Sequence, residues 1–309
     1  MTREERSKEK HKDVIEEQKK ETIRKTVKKI IKTTLFIAIT ATLFFLYTTY
    51  ISTSMISVRE YRITNERIPN SFNGTKIMHF SDLHYGSTMT KDNLDDIKKK
   101  INDRNPDIIV FTGDLINKNY KMNTKDIEIL ANKLKELNST LGKYAILGDE
   151  DSNNENIISI FNQADFTILR NENELIYKSD NNPILLVGLS SLINNEQDIE
   201  KGFSYFNQES YNSEIYTVAL VHEPDSADDI ISSYNPNLVL SGHSHNGYVR
   251  IPIINYTPIK KNGAKKYDQD YYKISDTELF ISGGLGTNNK NGIRLFCRPS
   301  MNLYRLSNK

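Results

Sequence analysis

Between Lys32 and Arg59 the chain runs for 26 residues without a charge, in a protein where 26% of residues are Asp, Glu, Lys or Arg. A helix needs about 20 predominantly apolar residues to cross the hydrocarbon core of a bilayer, so this stretch is long enough. Its threonines can bond back to the preceding turn, and Tyr47 and Tyr50 suit a membrane interface. A buried core helix of a soluble protein is the plainer reading, but composition changes abruptly on both sides. A cleaved signal peptide is the stronger rival. Against it stand a 32-residue polar leader and the lack of an obvious small-x-small cleavage site.

That leader carries 12 Lys/Arg against 7 Asp/Glu. By the positive-inside rule it stays cytoplasmic, which places residues after about 55 outside the cell. The expected organisation is a basic cytoplasmic leader at 1–32, a transmembrane helix at 33–58 and a domain at 59–309. This is a single-pass protein of the cell membrane with its domain extracytoplasmic.

Beyond the anchor, short apolar runs alternate with amphipathic stretches. Lys76–Phe80 (KIMHF) and Asp107–Phe111 (DIIVF) read as buried strands, as do Tyr144–Leu147, Ile184–Val187, Tyr216–Val221, Asn237–Leu240 and Leu279–Ile281. Helices are expected at Asp92–Ile101, Thr124–Asn138 and Ser226–Ser233. This alternation argues for an α/β core with parallel strand pairs. The Asn-, Ser- and Lys-rich stretches 150–156, 194–214 and 260–273 read as surface excursions.

Charge and cysteine content narrow the chemistry. With 41 basic and 40 acidic residues the net charge is +1, which gives no support for a nucleic-acid partner. Cys297 is the single cysteine, so an intrachain disulfide framework and a thiolate metal cluster are both excluded. A metal site in this chain must be built from histidine and carboxylates.

Those residues fall in one kind of place. Asp82 and His84 follow KIMHF, Asp114 follows DIIVF, and Asp149 follows YAIL; His222 follows TVALV, and His243 and His245 follow LVLS. In open α/β sheets, ligands bind beyond the carboxyl ends of the strands. Five separate segments thus deliver Asp or His to one edge, which core packing does not explain. Gly242 and Gly247 bracket His243-Ser-His245 and allow a tight backbone path there. His79 lies inside a strand and reads as a core or sheet-edge residue.

The ordered series Asp82-x-His84, Gly113-Asp114, Gly148-Asp149-Glu150-Asp151, His222 and Gly242-His243-Ser-His245 resembles the calcineurin-like metallophosphoesterase superfamily. More narrowly it is similar to the YkuE-like and YaeI-like membrane-associated branch, with supporting text in IPNSFNGTKIMHFSDLHYG, LVLSGHSHNGYVRIP, SGGLGT and IRLFCRP. The resemblance implies a four-layer α/β sandwich, two mixed β-sheets flanked by helices. It implies that Asp82, His84 and His245 hold one divalent ion, that Asp114 bridges, and that Asp149, His222 and His243 hold a second. Mn, Fe or Zn suit such a mixed shell. Two such ions would clamp a phosphoryl group and activate water for in-line attack on a phosphodiester or phosphomonoester. The anchor suggests a phospholipid or envelope headgroup as substrate.

The chain departs from the family at two positions that matter. Asp149 stands where Asn is usual and adds a negative charge, and Glu150 stands where the usual histidine contacts phosphate. A protonated Glu150 can serve as the catalytic acid, whereas an ionised one repels the substrate. Asn246 and Tyr248 are milder departures at the pocket rim, and Asn117, where an acidic residue often follows Gly-Asp, is a mild departure behind the ligands. The alternative reading is therefore a catalytically impaired relative that binds metal or phosphate as a sensor or scaffold.

Overall fold

The computed structural model describes residues 2–209, 211–251, 256–258, 260–288 and 292–309. The chain divides into two compact units, 1–48 and 49–309.

In the first unit, helix α1 (Arg3–Leu46) opens on a capping box in which Thr2 and Glu5 satisfy each other's backbone N–H. Its basic part is solvated, with Glu16–Lys20 and Glu21–Lys25 pairs one turn apart. In the uncharged part, Thr40 and Thr42 donate to the carbonyls of Phe36 and Ala38, so their hydroxyls are satisfied without water. Leu35, Phe36, Ile37, Ile39, Leu43, Phe44 and Phe45 are all exposed. This helix is long and apolar enough to cross a membrane. Helical structure continues only to Ser54, and Ser57 and Val58, the end of the uncharged stretch, open a strand.

The second unit contains strands β1 (Ser57–Thr64), β2 (Lys76–Phe80), β3 (Ile108–Thr112), β4 (Gly142–Ile146), β5 (Thr167–Ile168), β6 (Glu172–Ile176), β7 (Ile184–Gly188), β8 (Thr217–Val221), β9 (Leu238–Ser241), β10 (Tyr271–Ile274), β11 (Thr277–Ile281) and β12 (Ser300–Ser307). They form two mixed six-stranded sheets in the orders β1-β12-β2-β3-β4-β5 and β10-β11-β9-β8-β7-β6. The antiparallel pairs are β12–β2, β10–β11 and β6–β7; all others are parallel.

Strand periodicity sorts the apolar side chains into three cores. Between the sheets, Ile77, Ile108 and Val110 meet Val218, Leu220 and Leu240. On the outer face of the first sheet, Met78, Ile109 and Phe111 pack on helices α2 (Lys91–Asn102), α3 (Thr124–Lys135) and α4 (Glu155–Gln163). On the outer face of the second, Val187, Ala219 and Val239 pack on Phe203 and on helix α5 (Ala227–Tyr234). The result is the four-layer sandwich that the resemblance implies. His79 is fully buried on an interior strand, bonded to Thr112 and Tyr304, and burial pushes its pKa down to about 3. It is a core histidine.

Four expectations need correction. The stretch at 150–156 is not all loop, because α4 begins at Glu155. Within 194–214, Phe203 and Tyr205 are core residues, and within 260–273, Tyr267 is buried and β10 begins at Tyr271. Polar composition concealed isolated aromatic anchors in both. Helix α3 stops at Lys135 rather than Asn138.

Candidate metal centre

All seven expected ligands lie at the carboxyl ends of β2, β3, β4, β8 and β9, and the fold brings them together. Asp82, His84 and His245 form one group; Asp114, Asp149, His222 and His243 form another, with facing atoms within 4.8 Å inside each group. In the first, His245 Nε2 is 3.2 Å from both Asp82 Oδ1 and His84 Nε2. In the second, Asp149 Oδ1 is 3.2 Å from His222 Nε2 and 3.1 Å from His243 Nδ1. Asp114 Oδ2 lies between the groups, 3.6 Å from His84 Nε2 and 3.4 Å from His222 Nε2. Metal–ligand bonds of about 2.0–2.2 Å place neighbouring donors about 3.0–3.5 Å apart, so these spacings suit a shared divalent ion.

The buried polar atoms give the sharper test. Asp82 Oδ1, Asp114 Oδ2 and Asp149 Oδ1 are each buried without a hydrogen-bond donor among the described residues. An anionic oxygen in that position is costly unless a cation completes it. The residues therefore fit divalent metal.

Backbone geometry explains how one edge gathers so many ligands. Asp82, His84, Asp114, His243 and His245 all have positive φ, between 43° and 63°. Side-chain-bearing residues adopt this left-handed region rarely and at a cost, which the surrounding contacts must hold. Gly148 is required by close approach, since a Cβ there would lie 2.3 Å from Asp114 Oδ1 and 2.9 Å from His222 Cε1.

Three of the four imidazoles have a hydrogen-bond partner at the outer nitrogen, and His84 has a carboxylate near it. His222 Nδ1 donates to the Thr112 carbonyl at 2.6 Å, and His243 Nε2 donates to the Asn262 carbonyl at 2.7 Å, leaving the inner nitrogen of each free to accept a metal. His84 Nδ1 lies 3.3 Å from Glu150 Oε2, and His245 Nδ1 lies 3.2 Å from the Arg294 guanidinium. Asp82 Oδ2 accepts from the His243 N–H at 3.0 Å and from the Ser81 hydroxyl.

Sequence reading missed several supporting groups. Asp151 is fully buried and accepts from the N–H groups of Asp114, Leu115 and Gly148, tying two ligand loops together. Arg294 is fully buried and donates to the carbonyls of Gly283, Gly284 and Gly286. The IRLFCRP text carries Arg294, but nothing in its spacing marks a buried cation.

Electrostatics follow from this crowding. Burial opposes the charge on Asp149, yet His222 and His243 hold its carboxyl well below the usual carboxylate range. Burial likewise opposes the charge on Glu150, but His84 outweighs it and the Lys118 N–H adds to the downward shift. The Glu150 side chain is only 3% exposed and accepts from Lys118 N at 3.1 Å and Asn288 Nδ2 at 3.3 Å. Asp151 moves the other way, to about 7, through burial and the neighbouring Asp114.

Two mixed sheets, outer helices and an Asp/His cluster at the strand ends form the architecture expected of the metallophosphoesterase family. A family model described as calcineurin-like phosphoesterase matches residues 75–247, and the chain belongs to that family. It is 30% identical over 266 residues to the metallophosphoesterase YkuE of Bacillus subtilis, covering 84% of this chain and 88% of that one. It is 28% identical over 274 residues to a metallophosphoesterase of Aquifex aeolicus, covering 84% and 95%. A Bos taurus transmembrane protein with metallophosphoesterase domain is 27% identical over 209 residues, covering 62% of this chain and 45% of that protein.

Proposed function

We propose that this chain is a membrane-anchored phosphoesterase that hydrolyses phosphodiester or phosphomonoester bonds with two divalent ions. The observation that carries the reading is the trio of buried carboxylate oxygens on Asp82, Asp114 and Asp149, unpaired among the described residues and each facing imidazole nitrogens. Asp82, His84 and His245 would hold one ion, Asp149, His222 and His243 the other, and Asp114 both; Mn, Fe or Zn suits the donors. Bound ions of this kind lower the pKa of water and offset phosphoryl charge. The chain's own part is to hold the donors: Thr112 and Asn262 fix two rings, Asp151 fixes two loops, and Gly148 leaves room for Asp114.

Glu150 is the chain's own candidate for a catalytic group. Its acceptor-only environment in the free protein suits a base that steadies His84 better than an acid for the leaving group. The same buried negative charge favours a second reading, a relative that retains metal with little turnover. The uncharged helix supports a single-pass anchor after the leader 1–32, with the span ending by Ser54 and the domain that opens at β1 extracytoplasmic, which suits lipid or envelope headgroups as substrates.

The deciding experiment loads the full chain with Mn²⁺ and measures bound metal together with turnover of an activated diester and monoester. Two ions and turnover abolished by His243→Ala support the enzyme. Two ions with no turnover above that control support the binding protein.

A further inference from the structure

The segment after residue 259 carries four lysines, and they are used differently. Lys260 Nζ bonds the Lys265 carbonyl at 2.9 Å and lies 3.3 Å from Asp268, and Lys266 Nζ bonds Asp228 at 2.7 Å. Both are half-exposed surface pairs. Lys261 is the contrast, since its Nζ is buried and has no hydrogen-bond partner among the described residues. A buried ammonium without an acceptor is unfavourable, and the Tyr248 ring 5.7 Å away offsets that only in part, which leaves the group able to receive an anionic acceptor.

Its surroundings identify that acceptor. The neighbouring Asn262 carbonyl is bonded to His243 Nε2, so the segment is fastened to one metal-facing ring. Lys261 Nζ lies 5.7 Å from the centroid of Tyr248, whose ring stacks on His245 at 4.5 Å. The other nearby cations are engaged. Arg294 donates to four carbonyls, and Lys118 Nζ is exposed and 3.8 Å from Glu150.

We propose that Lys261 is a substrate-binding residue, donating to a non-bridging phosphoryl oxygen beside the metal centre. This rests on the phosphoesterase reading and deepens it. An ammonium is a compact point charge, and phosphate oxygens are strong charge-assisted acceptors. Near neutral pH a phosphomonoester carries close to two negative charges and a diester one, so Lys261 tilts the site toward monoesters. With Asp149 and Glu150 adding negative charge to the centre, this cation offsets their repulsion of an anionic substrate.

The test uses the full chain in detergent, loaded with Mn²⁺, comparing wild type with Lys261→Met and Lys261→Arg. Bound Mn, the Kd for inorganic phosphate by calorimetry, and kcat/KM for p-nitrophenyl phosphate and bis-p-nitrophenyl phosphate are measured. Lys261→Met is expected to retain Mn and to bind phosphate about 10–100-fold more weakly. Its loss should be larger on the monoester, and Lys261→Arg should recover most of it. Unchanged phosphate affinity in a Mn-replete Lys261→Met protein overturns the assignment while leaving the phosphoesterase intact. A wild type that binds Mn but neither phosphate nor substrate overturns the phosphoesterase reading itself, and Lys261 with it. Should Lys261→Met fold poorly by circular dichroism, Lys261→Gln carries the same comparison.

Discussion

Replacing Gly148 by alanine should disable the centre without touching a ligand. The new Cβ would stand 2.3 Å from Asp114 Oδ1, 2.7 Å from Asp114 N and 2.9 Å from His222 Cε1. Non-bonded heavy atoms settle at about 3.5 Å, so the Asp114 carboxylate must retreat by about 1 Å. Its backbone has little freedom to follow, because Asp114 N is held by Asp151 Oδ2 at 2.6 Å and Asp114 Oδ1 accepts from Glu150 N at 3.0 Å. Gly148 does not have positive φ, so the penalty is steric and not a backbone one. Overpacking of this kind costs about 1–3 kcal/mol of stability. A 1 Å displacement of a group shared by both metal positions should cost about 100-fold in turnover. Mn titration followed by kcat/KM at saturating Mn²⁺ reads both effects. Gly148→Ala protein with wild-type Mn affinity and turnover would refute the claim that Asp114 must sit where the structure puts it.

Other perturbations separate the remaining roles. His79 has a folded pKa of about 3 against 6.5 for the free side chain, so its contribution to stability is present above pH 6.5 and lost as pH falls toward 3. By pH 5 this amounts to about 2 kcal/mol, and His79→Gln should flatten the pH dependence of Tm in EDTA-treated protein by that amount; parallel curves would contradict it. Asp149→Asn removes one charge from a group touching both His222 and His243. It should weaken Mn retention about tenfold while raising turnover of anionic substrates at saturating Mn²⁺, and a fall in both would show Asp149 to be tuned to the reaction. Glu150→Ala should reduce activity about 10–100-fold by releasing His84, equally for good and poor leaving groups. A loss that grows with leaving-group pKa would instead identify Glu150 as the proton donor.

The gathering of the seven candidate residues at one edge was legible because strand chemistry is local. Each short apolar run ends where an Asp or His must leave the sheet, and the parallel ladders β2–β3–β4 and β7–β8–β9 align those ends without further information. What escaped was non-local. The β1–β12 ladder pairs Ser57 with Ser300 and Thr64 with Ser307, and neither charged segment, SVREYRIT nor SMNLYRLS, announces a strand by itself. Glu60 and Arg62 are tolerated because β1 is an edge strand. Arg294 and Lys261 escaped for the same reason, since only the closed fold shows that one is buried behind His245 and the other beside Tyr248. The left-handed backbone at five of the candidate ligands is likewise held by tertiary contacts, although Asp and His enter that region more readily than most side-chain-bearing residues.

Electron paramagnetic resonance of the Mn²⁺-loaded full chain reads whether Asp114 joins two metal positions into one centre. Ions sharing a carboxylate about 3.5–4 Å apart are magnetically coupled. Two Mn²⁺ per chain are expected, with a coupled dimanganese spectrum that collapses to uncoupled signals in Asp114→Ala. One ion per chain, or two with an uncoupled six-line spectrum in the wild type, would contradict a joined centre.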